Sequence, residues 1–160
     1  MTDTPAPRTW TDDELLARFH NSRNQPESSR TLGFHLLRVN QAAGEVEVRF
    51  EGRPEFRNSV GHIQGGFLTA MLDECTTIAG LVASGMTSAF PSLEMKTSFF
   101  RPVGVGPIRG VGRVIRQGRT ISFLEGDLFD AEGRHVARGS VTTMPQPFKN
   151  RAAEAAGRQA

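Results

Sequence analysis

The chain has 160 residues, 38% of them hydrophobic, enough for one compact domain with a real core and too little for two. Nineteen basic against seventeen acidic residues leave a formal charge of only +2, so no concentrated basic field is available to recruit nucleic acid. A single cysteine excludes an intrachain disulfide, no run of eighteen apolar residues suggests a membrane span, and the first residues lack an apolar signal region, which makes the cytoplasm the expected location.

Residues 1–8, with two prolines and no apolar run, are expected to be loose. A short helix should follow, to about His20: Thr11 can cap it, Glu14 can answer as the third helical residue, and Trp10 can staple onto Leu15. The polar stretch 21–30 reads as a linker to a sheet. Residues 32–39 are the first strand candidate. After a turn around Ala43-Gly44, residues 45–50 alternate strictly, which predicts a hairpin with one wet face. Residues 51–57, containing Gly52 and Pro54, read as a turn or a short irregular helix.

Residues 58–80, NSVGHIQGGFLTAMLDECTTIAG, begin as a glycine-spaced loop and continue, free of proline, as a helix to Ser84. At about 100° per residue, Phe67, Leu68, Met71, Leu72, Cys75, Ile78, Ala79 and Val82 occupy a very wide arc, so the helix is buried. The narrower arc carries Thr69, Asp73, Thr76, Thr77 and Gly80, and Glu74 points to the side shared by Ala70 and Leu81. A carboxylate in so apolar an element is costly unless it is paired, hydrogen-bonded or used. For Asp73 the plain explanation is satisfaction by Thr69 and Thr77, and the functional one is a catalytic group. At the helix start, Gly65 and Gly66 let a ligand approach unpaired amides at the positive end of the dipole, where a carbonyl gaining negative charge would be stabilised. Cys75, on the apolar arc with no histidine at helical spacing, reads as a buried small hydrophobe.

Gly85 and Met86 should end the helix. Strands are then expected over residues 90–100, 108–117, 120–130 and 135–143, joined by short turns, before a frayed tail over 145–160. Two strands, one long buried helix and four more strands make an α+β domain whose meander packs its apolar face on the helix. The expected division is an N-terminal segment with a short helix over 1–29, the main domain over 30–146, and a flexible tail over 147–160. His20, His35, His62 and His135 show no metal-ligand spacing.

Asn58, then Gln64-Gly65-Gly66, then Asp73 resembles the active-site segment of the hot-dog-fold acyl-CoA thioesterases, in the branch similar to the phenylacetate-pathway enzymes. SLEMKTSFFRP, residues 92–102, resembles the strand that follows the helix in that family. Relatives usually carry His-Gly-Gly where this chain has Gln64-Gly65-Gly66, with His62 two places upstream. The resemblance, over roughly residues 30–146, implies a hot-dog fold: a curved antiparallel sheet wrapped around one long central helix. It also implies thioester hydrolysis with no cofactor, CoA being part of the substrate, at sites built across a homodimer, and a dimer of dimers as the usual assembly.

Eight residues from Gly65 to Asp73 amount to a rise of about 12 Å, too far for one reacting carbonyl to touch both. If both serve one substrate, they come from two copies about a two-fold axis. On this hypothesis the thioester carbonyl lies against the Gly65 N–H, aided by Gly66 or Gln64, and Asn58 orients the carbonyl or the water. Asp73 of the other subunit is general base or nucleophile, with Thr77 and Ser92 positioning the carboxylate or the water. Arg101, Arg116 and Arg119 are candidates for the CoA phosphates, with His62 also near the substrate, and Phe67, Phe90, Phe99 and Phe100 for an acyl pocket. The competing functions are a hot-dog hydratase or dehydratase, for which His62 could be pressed into service, and a non-catalytic acyl-CoA sensor. The dehydratase loop of a histidine followed by spaced prolines is missing, and the N-terminal helix has no helix-turn-helix partner.

Overall fold

The computed structural model describes residues 10–22 and 25–148. The loose segment expected over 1–8 and residues 149–160 of the expected tail lie outside them, whereas the start of that tail is ordered: Gln146–Pro147 pairs as a short strand with Ser88–Ala89. Helix α1 (Asp12–His20) opens with the expected capping box: the Glu14 N–H donates to Thr11 Oγ1 at 3.2 Å and the Thr11 N–H to Glu14 Oε2 at 2.9 Å. Leu15 is fully buried, and Trp10 packs on the same cluster.

The stretch expected to be a plain linker contains a second helix, α2 (Glu27–Leu32), which crosses the expected boundary at 29/30. Gly33, at φ +65°, closes it and donates to Arg30 O at 3.1 Å. Six residues hold too few apolar positions to display a helical period, which is why the sequence hid it. Leu32 therefore reaches the core from a helix, and the first strand begins only at His35.

Strands β1 (His35–Asn40) and β2 (Glu45–Gly52) form the expected hairpin, and Pro54–Phe56 is a 3-10 turn. The long helix α3 runs Gly65–Ala83, closed by Gly85 and Met86, both at φ +65°. The strand expected over 90–100 begins only at Ser92, and ahead of Phe90-Pro91 lies a separate short strand that was not expected, giving β3 (Ser88–Ala89) and β4 (Ser92–Phe99). β5 (Gly106–Arg116), β6 (Ser122–Phe129) and β7 (His135–Thr143) follow, and β8 (Gln146–Pro147) pairs with β3. The main sheet is antiparallel in the order β1-β2-β5-β6-β7-β4, with α3 against its inner face. This is the hot-dog fold. By length and composition α3 could cross a membrane, but the sheet covers its apolar side: Leu68, Met71, Leu72, Cys75, Ala79 and Val82 are all buried.

The helix comes unusually close to the sheet at one place. Gly112, Gly126 and Gly139 are register partners across β5, β6 and β7. A Cβ on Gly112 would stand 2.1 Å from the Cys75 carbonyl oxygen, and one on Gly126 2.9 Å from Thr76 Cγ2. The polar arc expected for α3 is thereby partly closed. Thr76 is fully buried and donates to Asp73 O at 3.0 Å, while Gly80 is buried beneath the Phe90 ring. Small side chains on that arc let the curving sheet approach where a helical wheel alone suggests open surface.

On the outer face, Asp127 is buried beneath long cations. Arg113 Nη1 and Arg138 Nε donate to its carboxylate at 2.6 and 2.7 Å, and His135 Nε2 lies 2.7 Å away. Burial pushes this carboxyl up, but the hydrogen bonds and charges of Arg138 and Arg113 outweigh it and hold the group below the usual aspartate range. The cluster ties β5, β6 and β7 together away from the α3 face.

Candidate active site

The loop before α3 is built around Asn58. Its side-chain oxygen accepts from the Val60 and His62 amides, both at 3.1 Å, and its own N–H donates to His62 O at 2.7 Å. Gly61, at φ +87°, makes the tight turn possible. The Ile63 N–H donates to Val103 O and the Gln64 N–H to Phe56 O, both at 2.8 Å, pinning the loop to the body of the domain. Asn58 thus spends its oxygen on the loop, and its side-chain NH2 remains the group available to a ligand.

The amides of the first helical turn can be followed one by one. Gln64 is the N-cap, and its side-chain oxygen accepts from the Gly66 N–H at 2.7 Å. The Phe67 and Leu68 amides donate to Gln64 O at 3.0 and 3.4 Å. Only the Gly65 N–H has no protein acceptor among the described residues. Gly66, expected as a helper, already has a partner.

Beside Gly65 opens a pocket of about 460 Å³. It brings together Asn58, His62, Gly65, Phe99, Phe100 and Arg101, all expected at the site, with Ile63, Leu68 and Val103 among its apolar walls. Phe99 Cζ would lie 3.1 Å from a Cβ on Gly65, so a glycine is what lets this ring close over the helix tip. Arg101 stands at the rim, held by a 2.9 Å bond from Nη1 to His135 O. Two expected pocket residues are elsewhere. Phe67 stacks on Phe56 at 4.0 Å, packed against the core, and Phe90 is fully buried with Leu124 and Val141.

Asp73 is half-buried, and Ser92 Oγ, on β4, donates to its Oδ1 at 2.5 Å. The plain explanation through Thr69 does not describe it, since Thr69 donates instead to Thr97 at 3.4 Å. Thr77 is half-buried one turn beyond. The expected site residues therefore form two groups. Asn58, His62, Gln64, Gly65, Gly66, Phe99 and Arg101 gather at the start of α3, while Asp73 lies about two turns and Thr77 about three turns further along it, with Ser92 on β4 bonded to Asp73. One chain does not unite them. Arg116 and Arg119 are exposed and belong to the end of the sheet that holds Ser92, opposite to Arg101.

Glu74 points away from this face, as the helical wheel requires. Its carboxylate accepts from Ser29 Oγ at 2.5 Å and borders a cavity of about 200 Å³ shared with Phe34 and Leu81. Burial raises its carboxyl above the usual range, opposed by the Ser29 bond and reinforced by the charge of Asp73. The partnership with Ser29 escaped the sequence because α2 did. Cys75 is fully buried, and burial pushes its thiol far above the usual range, as a small core hydrophobe requires. Among the described residues, no three His, Cys, Asp or Glu side chains gather into a metal-binding group.

Residues 60–137 match the family model described as the Thioesterase superfamily. The fold is similar to that of a phenylacetic acid degradation-related protein from Ralstonia eutropha JMP134, 32% identical, with a TM-score of 0.75 over 81% of this chain and 98% of that one. The chain belongs to the thioesterase superfamily. Human acyl-coenzyme A thioesterase 13 is 29% identical over 131 residues, 81% of this chain and 90% of that protein. The PaaI protein of the E. coli phenylacetic acid degradation operon, 16% identical, shares the fold at a TM-score of 0.71 over 86% of this chain and 95% of that one. Membership in this superfamily supports thioester hydrolysis as the general activity.

Proposed function

We propose that this thioesterase-superfamily protein hydrolyses an acyl-CoA to the free acid and CoA at two equivalent sites, each built by both chains of a homodimer. The observation that carries the proposal is the one amide in the first turn of α3 without an acceptor among the described residues, Gly65 N–H, at a pocket of suitable size, together with an Asp73 carboxylate oriented by Ser92 two turns away. The distance between them, about 12 Å along α3, is what calls for a second chain. The exposed edge of the sheet supports this reading. β4 is an edge strand, and Leu93, Phe99 and Phe100 on or beside it are half or more exposed in the single chain.

In this mechanism the thioester carbonyl oxygen accepts from Gly65 N–H, and the Asn58 NH2 orients the carbonyl or the water. Asp73 of the other protomer takes a proton from water as the oxygen attacks the carbonyl carbon. The tetrahedral oxyanion is stabilised by the Gly65 amide, an interaction worth about 3 kcal/mol per donor, and collapses with loss of the CoA thiolate, which recovers the proton. Attack by Asp73 itself, through a mixed anhydride that water then opens, fits the same geometry. Ser92 binds Oδ1, and among the described residues no hydrogen bond engages Oδ2 of the carboxylate, which serves either role, with Thr77 nearby. Arg101 at the pocket rim is placed for a CoA phosphate. In a two-fold dimer, Arg116 and Arg119 of each chain lie at the end of the sheet that carries its Ser92. No cofactor enters the chemistry. A cytoplasmic setting, without nucleic-acid or membrane partners, and pairing of dimers into a tetramer belong to the same proposal.

The test is Asp73→Asn, measured as thiol release from a panel of aryl and aliphatic acyl-CoAs after circular dichroism has confirmed folding. Turnover should fall by about 10²- to 10⁴-fold, the usual worth of a positioned acid–base group. Turnover near that of the unaltered protein would remove Asp73 from the chemistry. For the wild type, binding without turnover would favour the sensor.

A further inference from the structure

Gln64 stands before Gly65-Gly66, where the phenylacetate-pathway branch that the sequence resembles usually carries histidine, and its side chain is engaged with the backbone. Gln64 Oε1 accepts from the Gly66 N–H at 2.7 Å while Gln64 O takes the Phe67 and Leu68 amides. One residue therefore claims three successive donors at the tip of α3 and leaves the fourth, Gly65 N–H, open beside the pocket. Two adjacent glycines give the backbone no stiffness of their own, so without this cap the tip would fray and two neighbouring amides would compete for one oxygen.

We propose that Gln64 is the positioning residue of the site: by capping Gly66 with its side-chain oxygen it makes Gly65 N–H the one backbone donor of the first turn of α3 left without an acceptor among the described residues, and fixes where the substrate carbonyl sits. This rests on the thioesterase mechanism above. A carboxamide oxygen accepts at every pH, so the donor arrangement is insensitive to protonation, unlike one that depends on an imidazole. Gln64 acts through Gly65 and takes no part in the bond changes.

Two variants and one spectroscopic readout test this. Gln64→Ala removes the acceptor and should lower kcat by roughly tenfold to a hundredfold with KM little changed, because the donor is misplaced and the substrate's remote contacts survive. Gln64→Ser, which can cap the same turn, should restore most of the loss. A role limited to stability would lower the melting temperature and leave kcat at 25 °C intact. Amide hydrogen exchange on ¹⁵N-labelled protein reads the same geometry without substrate. In the unaltered chain Gly66 should exchange at least about tenfold more slowly than Gly65, and in Gln64→Ala the difference should vanish. Equal exchange in the unaltered chain, or an unchanged kcat in Gln64→Ala, overturns the proposal. If no acyl-CoA is hydrolysed by the unaltered protein, the mechanism fails on that result, while the exchange pattern still reports separately on the cap.

Discussion

Replacing Gly112 by alanine tests whether the contact between α3 and β5 is set by the absence of a side chain. The added Cβ would stand 2.1 Å from Cys75 O, 2.7 Å from its carbonyl carbon and 3.2 Å from Thr76 N. All three atoms are helix backbone, so no rotamer change relieves the clash, and either α3 or the centre of the sheet must move. Overpacking a core usually costs about 1–3 kcal/mol, and a backbone-to-backbone collision belongs at the top of that range or above it. Against this, the alanine gains at most about 1 kcal/mol from a less flexible unfolded chain. A net loss of about 3 kcal/mol should lower the melting temperature by roughly 6–12 °C in a domain of this length.

The two register partners make the comparison internal. At Gly126 the nearest atoms are side chains, Thr76 Cγ2 at 2.9 Å and Cys75 Sγ at 3.1 Å, and at Gly139 the nearest is Leu72 Cβ at an ordinary 3.5 Å. The order of destabilisation is therefore Gly112→Ala, then Gly126→Ala, with Gly139→Ala close to neutral. Thermal and urea unfolding, followed by circular dichroism at one fixed protein concentration, measure it. If Gly112→Ala melts with Gly139→Ala, the close approach of α3 to β5 is wrong, and with it the placement of Asp73 against Ser92.

Gly65→Ala should separate stability from activity. Its Cβ would press on the exposed Phe99 ring at 3.1 Å, displacing it or the helix tip, while alanine favours the helix by up to about 1 kcal/mol. We expect kcat/KM for thioester hydrolysis to fall about a hundredfold with an equal or higher melting temperature, and unchanged activity would move the oxyanion donor away from Gly65. Glu74→Gln tests the other carboxyl. Because the folded protein raises the Glu74 pKa, the contribution of this group to stability is complete at pH below the unfolded value, near 4.5, and is lost as pH rises through the elevated folded value. Glutamine can still accept from Ser29, so the variant should be more stable than the unaltered protein at pH 7–8, with the difference shrinking towards pH 4, and should hydrolyse thioesters normally. A stability difference that does not change with pH would refute this reading of Glu74.

The elements that were legible in the sequence are those whose signal is long or doubled. α3 shows a helical period over five turns, and α1 announces itself by Thr11 and Glu14 together; each survives local exceptions. α2 offers one apolar residue, Leu32, and nothing to repeat. The separation of Asp73 from Glu74 was legible because one residue of helix is about 100° of rotation whatever surrounds it. What covers each direction was not, since that depends on register. Thr76 and Gly80 share an arc with Asp73 on the wheel, yet they are sealed by β-strand glycines and by Phe90, whose positions become known only when Gly112, Gly126 and Gly139 are paired. The same limit hid the burial of Asp127, whose cations on β5 and β7 converge on it only in the folded sheet. It also misplaced Phe67, assigned to the pocket for its closeness in sequence to Gly66, although it follows the helix round to the Phe56 ring. Asp73 itself is half-buried. Ser92, on β4 at the edge of the sheet, is the group that reaches it.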